Sequence, residues 1–155
     1  LIAHCAGDYI WFIDADDDVL PGAVPAIKAA LDQSEPDLLM LGFKNLHAEQ
    51  GGGWRLGSRQ YNCLAGPFDS IRTDIPTVLV ELFHAQQLHV WSKIARRSVW
   101  ASLHFPAGRT YEDIAISPLL TEPEKLGISP SMRVELTAQH EPFMSFHRDT
   151  VFLSH

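Results

Sequence analysis

Cysteine is nearly absent from this chain: Cys5 and Cys63 are the only two in 155 residues, and neither belongs to a CxxC pair. Two cysteines are too few for a disulfide framework, so a reducing compartment is expected, and with it a cytoplasmic location. Positive charge is also scarce. Twelve Lys and Arg stand against nineteen Asp and Glu, a formal net charge of -7, and only Arg96-Arg97 approaches a basic cluster. That excludes a nucleic-acid backbone as the default partner, because phosphate binding needs clustered cations. No apolar run reaches the ~18 residues of a membrane span, and no signal peptide is visible. There is no internal repeat and no low-complexity tract. The glycines of EQGGGW, residues 49–54, lack the following Lys-Ser/Thr of a phosphate loop.

What the chain has is core. With 46% hydrophobic residues it is sized for one globular domain, and a compact chain of this length buries roughly 70% of its unfolded surface. Tyr9 to Ile13 is a short continuous run of aromatic and β-branched residues, the pattern of a strand buried on both faces in a parallel sheet. Leu20, Val24, Ile27 and Leu31 then recur at helical spacing, with Pro21 and Pro25 tolerable if the helix starts near Gly22. Asp37 to Phe43 reads as a second strand, and the three glycines as the turn of a hairpin that returns through Trp54 to Tyr61. Ile75, Leu79, Leu82 and Gln86 mark another amphipathic helix capped by Asp74, and a shorter helix is expected over Ser92 to Ala101. Glu141 to Phe152 is expected to be extended.

Strand, acidic turn, helix is an α/β arrangement, and ligands of such sheets gather at the carboxyl ends of the strands. Asp14, Asp16, Asp17 and Asp18 stand there. If extended geometry persists, Asp14 and Asp16 point the same way with α-carbons ~6.6 Å apart. Two unit charges ~4 Å apart repel by ~4 kcal/mol at an effective dielectric of 20, so a bound cation explains the crowding economically. Hard carboxylate oxygens suit Mg²⁺ or Mn²⁺. A helix-capping turn with its carboxylates in solvent is the rival reading. A calcium loop is excluded, because Val19 and Pro25 stand where that loop needs Gly and Glu. Strand-then-DxD is also how a haloacid-dehalogenase-type phosphatase begins, with Asp14 as nucleophile, but that pattern expects Gly-Thr where this chain has Asp17-Asp18-Val19.

A second acidic signal, FPAGRTYEDIAISPLL, occupies residues 105–120. Glu112 and Asp113 follow a Pro/Gly loop and precede an apolar run, as at a helix start, and Thr110-x-x-Asp113 is also a capping-box-like pattern that needs no ligand. Pro118 limits that helix.

In this order, the two signals resemble the inverting glycosyltransferases of family 2. GDYIWFIDADDDVLPGAVPAIKAAL is similar to the family's Gly-acidic-Tyr-apolar-Asp-x-Asp-Asp segment and following helix; HVWSKIARRSVW to its Trp-x-Lys-x-x-x-Arg segment; HFPAGRTYEDI to its Phe-Pro-x-Gly…Glu-Asp segment; and FMSFHRDT, more loosely, to its late Tyr-x-Arg strand. The resemblance implies a GT-A-like (Rossmann-like) α/β fold, a mixed sheet flanked by helices. It implies that residues 1–155 form a single partial domain, the carboxyl-terminal metal-binding and acceptor-side part, without the strands that bind the nucleotide base. Asp14 and Asp16 would hold Mn²⁺ or Mg²⁺ against the diphosphate of a nucleotide-sugar donor, and Asp113 would be the general base on a glycan or lipid-linked acceptor hydroxyl. Glu112 and Trp91 would shape the acceptor site, and Arg148 and His147 would touch the diphosphate. Peripheral association with the inner face of the membrane, and a homo-oligomer through an exposed sheet edge, accompany this reading. The competing class is a non-catalytic assembly module on the same fold.

Overall fold

The computed structural model describes residues 2–106, 108, 116–118, 133–136 and 144–147. In chain order the strands are β1 (Tyr9–Trp11), β2 (Asp18–Val19), β3 (Leu38–Met40), β4 (Phe43–Ala48), β5 (Trp54–Tyr61), β6 (Ser70–Arg72), β7 (Lys93–Arg96), β8 (Val134–Leu136) and β9 (Met144–His147). The helices are α1 (Ala23–Ser34), α2 (Ile75–Ala85) and α3 (Arg97–Ala101). Five strands form one sheet in the order β1-β7-β3-β8-β6, and four form a second in the order β2-β9-β4-β5.

Alternation across β3 and β7 builds the main core on both faces of the first sheet. Leu38, Met40 and Ala95 face α2 and α3, packing with Val78, Leu82, Val99 and Trp100. Leu39, Leu41 and Ile94 face α1, packing with Ala23, Ile27 and Phe43. Leu38, Leu39 and Met40 are all fully buried, and each such side chain contributes about 1.5–3 kcal/mol. This two-sided burial explains why LLM reads as an unbroken apolar run.

The first strand differs from its expectation. It ends at Trp11, pairs antiparallel with β7, and has no second neighbour among the described residues. Only Ile10 of β1 is buried, and Ile13 is 44% exposed. Two indoles hold the strand in place: Trp100 Nε1 donates to the Ile10 carbonyl at 3.0 Å, and Trp11 Nε1 donates to the Trp91 carbonyl at 2.7 Å.

The helix after the acidic turn starts at Ala23, as the prolines require. Its core face is smaller than the leucine spacing suggests, because Val24 is 60% exposed while Ala23 and Ile27 are buried. The expected strand from Asp37 to Phe43 is two strands in different sheets, β3 and β4, joined through Leu41 and Gly42. The glycine hairpin is present, with Gly51, Gly52 and Gly53 at φ of 103°, 91° and 107°, backbone that only glycine adopts without strain. Asp74 caps α2 as expected: its carboxylate accepts from Thr77 N at 3.4 Å and from Thr77 Oγ1 at 2.6 Å.

The expected helix over Ser92 to Ala101 is instead the strand β7, between β1 and β3, followed by a single helical turn, α3. The sheet decides this. Lys93, Ile94 and Ala95 are all buried between β1 and β3, and their backbone groups are satisfied by ladder bonds on both sides. Of the extended segment expected at 141–152, Met144–His147 is β9, and the rest lies outside the described residues.

Candidate active site

The carboxyl end of β1 delivers the chain into the acidic segment. Extended geometry does not persist there: Asp17 N donates to the Asp14 carbonyl at 3.1 Å, closing a turn over Ala15 and Asp16. The same-side strand spacing expected for Asp14 and Asp16 is therefore replaced by a turn, in which the charges of Asp14, Asp16 and Asp18 act on Asp17. Asp14, Asp16 and Asp18 are exposed and Asp17 is half-buried, with Oδ2 buried and without a hydrogen-bond partner among the described residues. Burial, followed by the charges of Asp14, Asp16 and Asp18, raises the Asp17 pKa from 3.8 to about 7.

These features suit a hard divalent cation in donor chemistry: oxygen ligands only, concentrated negative charge, and one carboxylate whose ionisation its neighbours oppose. Among the described residues, no group of three or more His, Cys, Asp or Glu side chains is already disposed around a point where a metal ion would sit.

Two ladders bring further residues toward the turn. In the β1–β7 register Tyr9 lies opposite Arg96 and Trp11 opposite Ile94. Beyond the ladder, the Trp11–Trp91 hydrogen bond holds the turn that carries Trp91 against the end of β1. In the β2–β9 register Asp18 lies opposite Ser145 and Val19 opposite Met144. It therefore runs the end of β9, at His147, toward the acidic turn. Ser145 also lies opposite Lys44 in the parallel β4–β9 ladder, so Asp18 and Lys44 leave the same face of the second sheet one strand apart. Sequence reading missed Lys44, because only the pairing of three strands distant in sequence creates the relationship.

Trp91 sits in the 3-10 turn Val90–Ser92. The His89 ring stacks on its indole at 4.7 Å and 9°, and Phe43 meets it edge-to-face at 4.8 Å and 87°. Phe43 in turn stacks on Tyr61 at 5.2 Å, and the Arg59 guanidinium lies 4.9 Å from the Tyr61 ring centre.

Lys93, two residues after Trp91, is fully buried, and its Nζ donates to the carbonyls of Gln87 at 2.7 Å and His89 at 2.6 Å and to Ser92 Oγ at 3.2 Å. A lysine within an alternating apolar stretch gives no sequence signal of such burial.

The other end of the same sheet is structural. Asp37 bridges Arg96 Nε at 3.2 Å and Arg133 N at 2.8 Å, Tyr9 Oη donates to the Pro36 carbonyl at 2.7 Å, and Arg96 lies over the Tyr9 ring. A cleft of about 550 Å³ along α1 there is lined by Tyr9, Lys28, Asp32 and Arg96, among others, and includes none of the expected site residues. Of those residues, Asp14 and Asp16 lie in the turn after β1, Trp91 in the turn that is hydrogen-bonded to Trp11, and His147 at the end of β9, the strand that pairs with β2. Glu112, Asp113 and Arg148 lie outside the described residues.

The family model described as Glycosyl transferase family 2 matches residues 1–85, more than half of the chain. Among solved structures, the crystal structure of S. aureus TarS 1-349 matches with a TM-score of 0.58 and 16% identity, over 94% of this chain and 37% of that one. The same protein in complex with UDP matches with a TM-score of 0.58 and 17% identity, with the same coverage. This chain thus spans little more than a third of the length of the solved structures it resembles, and the likeness is one of GT-A-like fold. No curated protein matches the chain.

Proposed function

The chain belongs to glycosyl transferase family 2, and from that premise we propose that it forms the metal- and acceptor-side part of an enzyme that transfers a sugar, with inversion, from a nucleotide-diphosphate sugar to a hydroxyl of a glycan or lipid-linked acceptor. The observation that carries the reading is the acidic turn Asp14–Asp17 at the carboxyl end of β1, inside the segment that the family model matches. A relative in fold whose structure contains UDP supports the nucleotide part of the donor.

Asp14 and Asp16 would hold Mn²⁺ or Mg²⁺, which would supply positive charge against the diphosphate as it leaves. His147 and Arg148 contact that diphosphate. Asp113 accepts the proton of the acceptor hydroxyl, whose oxygen bonds to the anomeric carbon from the face opposite the departing phosphate oxygen. One displacement of this kind inverts the anomeric centre. Glu112 and Trp91 shape the acceptor side. Transfer takes place at the cytoplasmic face, with peripheral membrane contact where the acceptor is lipid-linked; among the described residues no helix is long and apolar enough to cross a membrane. Among the described residues β1 has a neighbour on one side only, and such an edge supports association between copies of the chain.

The test is the thermal unfolding midpoint with and without Mn²⁺ plus UDP, in the wild type and in an Asp14→Asn/Asp16→Asn double variant. Ligand at a hundred times its dissociation constant adds ~2.7 kcal/mol of stability. A rise in the wild type that disappears in the double variant is the expected result. An unmoved midpoint, with a variant that is more stable without metal, would sink the proposal.

A further inference from the structure

Lys93 carries a positive charge into the interior of the protein. It is fully buried in β7, opposite Met40 of β3, where a methionine would fill similar space without the desolvation that an ammonium costs. Its three N–H groups have three acceptors, the carbonyls of Gln87 and His89 and Ser92 Oγ, all in the short segment between α2 and β7. We propose that Lys93 is a positioning residue for the acidic turn: it fixes the segment 87–92, and through the Trp91–Trp11 hydrogen bond fixes where β1 releases the chain into Asp14–Asp17. The proposal rests on the reading that Asp14 and Asp16 hold a divalent cation there.

Each link of that route is a direct contact. Ser92 Oγ, which accepts from Lys93 Nζ at 3.2 Å, donates in turn to the His89 carbonyl at 3.1 Å and accepts from Cys63 Sγ at 3.4 Å. The Ser92 backbone carbonyl accepts from Leu41 N at 2.9 Å. The segment is thereby tied to the chain just beyond β3 and just beyond β5 as well as to β7. A network whose ammonium and hydroxyl are both fully used holds one geometry, because displacing it leaves a buried polar group unpaired. Trp91 lies inside this segment, and its carbonyl accepts from Trp11 Nε1 at 2.7 Å. Trp11 is the last residue of β1, and the acidic turn opens at Asp14. Among the described residues β1 pairs with β7 alone, so a bond at its last residue weighs heavily on where the chain leaves the sheet.

The test measures the Mn²⁺ affinity of the full chain, alone and with UDP, from the electron paramagnetic resonance signal of free Mn²⁺, beside the thermal unfolding midpoint. The variants are Lys93→Met, Trp11→Phe and their double, with Asp74→Ala as a control that removes the cap of α2, outside the route. Lys93→Met and Trp11→Phe are each expected to weaken Mn²⁺ binding about tenfold, the low end of what residues supporting a metal site contribute. The double variant loses no more than the worse single, as two cuts in one route do. The control lowers the midpoint and keeps wild-type affinity. If Lys93→Met does not fold, Trp11→Phe decides alone. Folded variants with wild-type Mn²⁺ affinity overturn the proposal while leaving the metal site in place, as do losses that add in the double variant or an equal loss in Asp74→Ala. A wild type that binds no Mn²⁺ overturns this proposal and the metal reading together.

Discussion

Trp11 Nε1 donates to the backbone carbonyl of Trp91 at 2.7 Å, joining the strand that ends in the acidic turn to the turn that carries the His89–Trp91 stack. The two residues are eighty positions apart, and neighbouring strands bring them together. Trp11→Phe keeps an aromatic ring but leaves the carbonyl without this donor. It is expected to cost about 1–3 kcal/mol, seen as a lower midpoint in chemical denaturation with an unchanged slope.

Asp17 makes stability depend on pH. Its folded pKa is raised to about 7 from 3.8, by burial first and then by Asp14, Asp16 and Asp18. The folded state therefore holds this proton more tightly than the unfolded state, and stability falls as pH rises from 3.8 to about 7, then levels. Asp17→Asn removes that slope. Unfolding midpoints from pH 4 to pH 8 in chelator should show the wild type losing stability relative to the variant; parallel curves would refute the coupling.

Lys93 is fully buried and donates to two carbonyls and a hydroxyl. Lys93→Met fills similar space but takes the ammonium donor from the Gln87 carbonyl and leaves the His89 carbonyl with Ser92 Oγ. The expected loss is about 2–4 kcal/mol, with added exposure of Trp91 to acrylamide quenching. A variant as stable as the wild type would mean that the ammonium contributes no net anchoring.

Asp113→Asn, under the proposed mechanism, removes the base while keeping shape and hydrogen-bonding capacity. The turnover number for transfer to an acceptor is expected to fall about 10²–10⁴-fold, with the unfolding midpoint unmoved. Full activity in this variant would reassign the base.

Local patterns carried far in this chain. The glycine hairpin and the capped helix α2 were legible because turn glycines and an N-cap aspartate act through backbone geometry within a few residues. The start of α1 was legible for the same reason, set by Pro21 and Pro25. The strand β7 was not legible. KIAR, with its basic ends, reads as readily as a helix, and only burial between β1 and β3 makes it a strand. The end of β1 was misjudged for a related reason: Phe12 and Ile13 continue the apolar run, but the ladder stops at Trp11.

The sequence by itself determined that a crowded acidic segment follows a strand-forming apolar run, that a second Glu-Asp segment stands about a hundred residues later, and that the pattern is that of family 2. Such signals are local: charge, size and spacing along one stretch of chain. The tertiary structure alone decided that Asp14–Asp17 form a closed turn rather than an extended pair, that Asp17 is the carboxylate whose ionisation is opposed, and that Trp91 is packed between His89 and Phe43. The partners in the turn are close in sequence, but whether the chain turns there, and which carboxylate is buried, is set by where β1 stops pairing and by what packs around the segment.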